Sequence, residues 1–216
     1  DLKEKFGGIK IRFTIIDVNS PSSDIKKILS KITGEGFEAQ HIPVENINDS
    51  NSNMSTTMAS IRSSFNHAKK CEDLIYFVED DYIHKTEALS EMLFAYEKFS
   101  SILESEIFIL SSDYPYLYKK MNSSSILIGE NIHWRTVKES LLTFMTSKKM
   151  IEKYFEKLID MATNQNNPFE KNLHEIYEKE ECFSPIPSLS IHCTNINSVF
   201  GLSPNINLKK LWDENS

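Results

Sequence analysis

The chain alternates short apolar runs with polar, turn-forming segments. Ile9-Lys10-Ile11-Arg12-Phe13-Thr14-Ile15-Ile16-Asp17 first alternates, then becomes wholly apolar, and ends in an acid, which predicts a strand. Asn19-Ser20-Pro21-Ser22-Ser23-Asp24 follows, rich in turn and capping residues, with Pro21 suited to a helix's first turn. Ile25, Ile28, Leu29 and Ile32 recur at helical spacing, and Gly34 and Gly36 close that helix. His41-Ile42-Pro43-Val44 reads as a short edge strand, because Pro43 limits its pairing. Residues 46–55 are polar and Asn/Ser-rich and read as a loop. Met58, Ile61, Phe65 and Ala68 then form the apolar stripe of a second helix.

Leu74-Ile75-Tyr76-Phe77-Val78 has no polar face to offer water, which predicts a buried strand, and it runs straight into Glu79-Asp80-Asp81. A helix after His84 carries Leu89, Met92, Leu93, Tyr96 and Phe99. Residues 106–113 form another apolar strand with an acid, Asp113, at its end. The aromatic loop Tyr114-Pro115-Tyr116-Leu117-Tyr118 follows it. A shorter strand covers 125–129, and Leu141-Leu142-Thr143-Phe144-Met145 is β-prone. Ser147 caps a helix that buries Met150, Ile151, Tyr154, Phe155, Leu158 and Ile159, and a further helix covers about 169–179. Residues 183–193 hold two prolines and read as extended chain. The remainder, through Trp212, reads as a tail wrapped over the domain.

Strands alternating with helices predict an α/β fold with a mostly parallel sheet flanked by helices. In such a sheet the strands' carboxyl ends share one rim, where ligands bind. Asp17, Glu79-Asp80-Asp81 and Asp113 then belong to that rim. Adjacent carboxylates repel unless neutralised, and their hard oxygens suit Mg²⁺ or Mn²⁺. The plainer reading of the same acids is a solvated turn, with Asp17 ordering its own loop.

The formal charge is 24 − 31 = −7, which argues against a protein whose main task is gripping nucleic acid but leaves a metal-neutralised nucleotide open. Hydrophobic residues at 40 % are enough for a core across one domain of 216 residues. No Pro-rich or Gly/Ser linker divides the chain. No apolar run approaches the roughly 18–20 residues needed to span a bilayer, and no signal-peptide pattern opens the chain. Cys71, Cys182 and Cys193 are odd in number and widely spaced, as free thiols in a reducing cytoplasm would be. A Gly-x-x-x-x-Gly-Lys-Ser/Thr loop, a Gly-x-Gly-x-x-Gly turn, a Gly-x-Ser-x-Gly elbow and a Cys-x-x-Cys pair are all missing. What survives elimination is a carboxylate–metal site with a phosphate-bearing ligand.

Four stretches resemble the GT-A-fold glycosyltransferases of the family 2 type found in bacterial surface-polysaccharide clusters. They are Phe13-Thr14-Ile15-Ile16-Asp17-Val18-Asn19-Ser20, Tyr76-Phe77-Val78-Glu79-Asp80-Asp81-Tyr82, His133-Trp134-Arg135-Thr136 and Ser184-Pro185-Ile186-Pro187-Ser188-Leu189-Ser190-Ile191-His192. The resemblance implies a mixed, mostly parallel GT-A sheet within a single domain 1–216. Its nucleotide-binding part would be about 1–115 and its acceptor side about 116–216. The chain starts at what reads as that fold's second strand, so the opening strand is expected to be missing. The family's activity moves a sugar from a nucleoside diphosphate sugar to a hydroxyl on a saccharide or lipid-linked acceptor, with inversion expected over retention. Asp17, Asn19 and Ser20 would contact base and ribose. Asp81 and Asp80 would hold Mn²⁺ or Mg²⁺ with His192 as an added ligand, Glu79 beside them, and Arg135 would bring positive charge to a phosphate. Glu175, and after it Glu170, are the expected catalytic bases. The expected setting is cytoplasmic, at or near the inner face of the membrane. Another metal-dependent nucleotide enzyme, such as a nucleotidyltransferase, and a non-catalytic domain of the same fold are the alternatives.

Overall fold

The computed structural model describes residues 7–44, 53–119, 121, 123–194, 196–198 and 201–216. The loop expected at 46–55 lies outside them as far as residue 52, and 53–55 already belong to a helix. The chain divides into two compact units: residues 1–67 with 162–164, and residues 68–161 with 165–216. Among the described residues no helix is long and apolar enough to cross a membrane. All three cysteines are free thiols.

The smaller unit is a strand–helix–strand motif followed by a helix. Its elements are β1 (Arg12–Asp17), α1 (Ser22–Gly34), β2 (Glu38–Pro43) and α2 (Asn53–Ala68). β1 and β2 run parallel, with Asp17 opposite Pro43 at their carboxyl ends. α1 starts directly after Pro21, whose carbonyl accepts from the Asp24 amide at 2.9 Å. Gly36, at a φ of 81°, turns the chain back towards β2 with a conformation that side-chain-bearing residues resist. Phe37 then meets Phe13 edge-on, their ring centres 5.4 Å apart.

The larger unit begins with β3 (Leu74–Phe77), β4 (Tyr82–His84), α3 (Ala88–Leu103) and β5 (Phe108–Leu110). A 3₁₀ turn at Pro115–Lys119 leads to β6 (Ile126–Ile128), β7 (His133–Thr136) and β8 (Phe144–Ser147). Then come α4 (Lys148–Lys153), α5 (Phe155–Met161), α6 (Lys171–Tyr177), β9 (Cys182–Ile186), β10 (Ser190–His192) and α7 (Leu208–Asn215). Six strands form the main sheet in the order β3-β8-β5-β9-β7-β6, and β10 pairs antiparallel with β4 in a sheet of two.

The protein is mixed α/β with helices flanking the main sheet, but that sheet is mostly antiparallel, against expectation. Only β5 and β9 run parallel. Two placements cause the difference. β8 inserts between β3 and β5 and opposes both, so β3 and β5 are not neighbours. β6 and β7 are joined by a short turn at residues 129–132, which imposes a hairpin.

The core is the α3 stripe on the sheet. Ala88, Met92, Ala95, Tyr96 and Phe99 pack on Ile107, Ile109, Trp134, Met145, Phe183 and Leu189. Phe99 lies 5.0 Å from the Phe183 ring and 6.2 Å from Trp134, centre to centre. Burying each such side chain contributes about 1.5–3 kcal/mol. The strand expected at 74–78 forms over Leu74–Phe77 and is half-buried rather than fully buried, with Val78 exposed beyond it. Ser147 caps α4 as expected, accepting from the Met150 amide at 3.3 Å, but the single helix foreseen beyond it breaks at Tyr154. The tail does fold back: α7 donates from Asn215 Nδ2 to the His84 carbonyl at 3.1 Å.

β6 closes one end of the sheet. Leu127 faces the core, while Ile126 and Ile128 are each 62 % exposed on the other face. Lys98, from α3, donates to the Ile128 carbonyl at 2.7 Å. The β6–β7 turn is held by Glu91, a carboxylate only 1 % exposed. It accepts from the Glu130 amide at 2.9 Å, the Asn131 amide at 3.2 Å and Asn131 Nδ2 at 3.1 Å. Gly129 is required there, since a Cβ would lie 2.5 Å from both Glu91 Oε1 and Trp134 Nε1. Glu91→Ala strands those three donors and opens a void where the buried carboxylate stood, at an expected cost of about 3 kcal/mol. Urea unfolding checks this as a lowered midpoint with an unchanged slope; a midpoint equal to the wild type's contradicts it.

Candidate functional site

The acids after β3 sit in three different environments. Asp80 is exposed. Glu79 is half-buried, donates its amide to Thr143 Oγ1 at 3.2 Å and accepts from that hydroxyl at 3.4 Å. Burial, with the negative charges of Asp81, Glu170 and Asp80, pushes its carboxyl up to about 7. Asp81 instead meets a histidine.

That histidine arrives on β10. Antiparallel pairing sets His192 opposite Tyr82, and the Cys193 amide donates to the Asp81 carbonyl at 2.7 Å. His192 Nε2 then lies 2.8 Å from Asp81 Oδ2, with the Tyr82 ring 5.0 Å from the imidazole. His192 Nδ1 is buried and has no hydrogen-bond partner among the described residues. The extended segment at 183–193 thus delivers its histidine to the acid motif. Among the described residues no group of three or more His, Cys, Asp and Glu side chains is gathered closely enough to hold a metal ion by itself.

Asp113 and Arg135 are committed to each other. Asp113 is 4 % exposed, and its Oδ1 accepts from Arg135 Nη2 at 2.7 Å and Nε at 3.2 Å, and from Ser184 Oγ at 3.2 Å. Tyr118 donates its hydroxyl to Oδ2, and its ring lies 4.2 Å from the Arg135 guanidinium carbon. A carboxylate so fully engaged is a strut. The guanidinium is equally engaged, so its charge is already balanced within the protein.

The two glutamates proposed as bases also differ. Glu175 is exposed and ion-paired to Lys157 and Lys171; its bond to Lys157 comes first among the causes holding its carboxyl below the usual range. Glu170 is half-buried just before α6, and burial raises its carboxyl.

In the smaller unit, Asp17 accepts from the Ser20 amide at 3.2 and 3.3 Å, which orders the turn between β1 and α1. Asn19 takes a φ of 70° there, a left-handed conformation that Asn tolerates better than most residues. A pocket of about 480 Å³ opens at the carboxyl ends of the two strands, lined by Asp17, Asn19, Ser20, Lys26, His41 and Pro43 among others. His41 Nε2 is 3.6 Å from Asp17 Oδ2. The pattern of the sequence did not single out His41, Lys26 or Thr143, because each sits in a stretch whose apolar period carries the reading.

No protein-family model matches this chain, and no curated protein is significantly similar to it.

β4 also carries His84, whose Nε2 lies 2.5 Å from the Tyr76 hydroxyl. Burial drives its imidazole down to about 4 from an ordinary 6.5. Below pH 6.5 the unfolded chain gains a proton there that the folded chain refuses until pH 4. The folded state is therefore fully favoured above 6.5 and loses up to about 1.4 kcal/mol per pH unit on the way down. His84→Gln removes that contribution. Its melting temperature is expected to fall less than the wild type's between pH 7 and 4.5, and equal falls contradict the assignment.

Proposed function

We propose that this chain is a metal-dependent glycosyltransferase of the GT-A type. It would move a sugar from a nucleoside diphosphate sugar to a hydroxyl of a saccharide or lipid-linked acceptor in polysaccharide or glycoconjugate synthesis. The observation that carries this reading is the contact between Asp81, at the end of the acid motif, and His192, at the end of the extended segment. Both were singled out as donors to one cation. An imidazole nitrogen and a carboxylate oxygen are suitable donors for Mn²⁺, and the carboxylates alone for Mg²⁺.

Asp81 and His192 would hold the cation, with Asp80 beside them, and diphosphate oxygens would complete its shell. The cation supplies Lewis-acid stabilisation of charge on the leaving diphosphate. In the smaller unit, taken by itself, the pocket at the strand ends offers the polar groups of Asp17, Asn19 and Ser20, which suit a ribose or base. Glu170 now ranks ahead of Glu175 as the base. A raised carboxyl accepts a proton from an acceptor hydroxyl more readily than one lowered by two lysines. Arg135 is left as the partner of Asp113 and is given no phosphate.

The test is thermal shift with Mn²⁺ and uridine, guanosine or cytidine diphosphate, since a ligand of the native state raises its melting temperature. One base is expected to give a metal-dependent rise. Asp81→Ala and His192→Ala are each expected to weaken that binding by about tenfold or more, 1.4 kcal/mol. A wild-type protein that shows no metal-dependent rise with any of the three would falsify the reading.

A further inference from the structure

His192 owes its place to β10, and β10 is three residues long with β4 as its one neighbour in the sheet. Something else has to fix where that strand begins. Ser190, its first residue, is buried and lies on the same strand face as His192, two residues on. Its hydroxyl is 2.7 Å from Ser111 Oγ and 2.6 Å from Ser112 Oγ, both just beyond β5 and both buried. The Ser190 carbonyl accepts from Ser188 Oγ at 2.8 Å and from Ser112 Oγ at 3.3 Å. The Leu189 amide donates to the Ser111 carbonyl at 2.9 Å.

Each hydroxyl has one proton, and that settles the direction of the chain. Ser111 accepts from Ser190, so Ser190 in turn accepts from Ser112, whose proton is forked more weakly towards the Ser190 carbonyl. A buried hydroxyl left out of this chain would cost free energy without return.

We propose that Ser111, Ser112 and Ser190 are positioning residues, whose hydroxyl chain fixes the start of β10 and thereby holds His192 Nε2 against Asp81. This deepens the glycosyltransferase reading, on which the role of that pair rests, because second partners of this kind orient the groups that meet a metal. Breaking a link lets Ser190 shift, and the shift is carried along the strand to the imidazole.

The experiment is nuclear magnetic resonance of the full-length protein labelled with ¹⁵N in histidine, without nucleotide or metal. The proton between His192 Nε2 and Asp81 is expected as a slowly exchanging ring N–H signal, assigned by its absence in His192→Gln. Ser190→Ala and, at the far side of the link, Ser112→Ala are expected to broaden or abolish it. Glu91→Ala, destabilised elsewhere in the same unit, is expected to keep it. A signal unchanged in both serine variants overturns the proposal, as does an equal loss in Glu91→Ala, which would make the effect one of stability alone. In the Mn²⁺ and nucleoside diphosphate assay the serine variants are expected to bind about tenfold more weakly. If wild-type protein binds nothing there, the functional reading falls, while the ring signal still decides the serine geometry.

Discussion

A carboxylate taken out of water must be given hydrogen-bond donors, and the larger unit is arranged around meeting that demand. Glu91 and Asp113 are almost wholly enclosed. Glu91 gathers the turn between β6 and β7 with three donors, and Asp113 gathers Arg135, Ser184 and Tyr118. Each fixes a loop that apolar packing alone would leave free to slide, since dispersion contacts have no direction. The apolar seam between α3 and the sheet supplies the attraction. The buried polar groups decide which single arrangement satisfies it.

Much of the local structure was legible because it follows period. The parallel β1–α1–β2 unit, the α3 stripe and the cap at Ser147 all came from spacing and turn chemistry. Strand direction did not, since an apolar run reads the same whichever way its neighbours point. The run at 144–147 gave no sign that it would slot between β3 and β5, yet that one insertion turned the sheet mostly antiparallel. The break at Tyr154 was equally silent, because α4 and α5 share one continuous apolar pattern on both sides of it.

The candidate site was legible where chemistry stood at a strand end. Asp81 and His192 were both singled out, and they meet. The glutamates were not separable, since only tertiary environment tells the exposed, lysine-paired Glu175 from the half-buried Glu170. Arg135's partner was hidden for a related reason: a guanidinium beside an aromatic segment carries no sign of the carboxylate it will bond. Serines were the least visible of all. A hydroxyl is small, neutral and common in loops, so nothing in the pattern set Ser111, Ser112 and Ser190 apart from the many exposed serines of the chain.

The lysine seated on the rim strand has a consequence of another kind. β6 presents two bare isoleucines at the boundary of the sheet, the sort of surface on which a neighbouring chain can add a strand and start an aggregate. Lys98 occupies the Ile128 carbonyl and carries a charge to that border. Any incoming strand must first displace a hydrated ammonium, so the same contact that ties α3 to β6 also guards the protein against growing into its own copies.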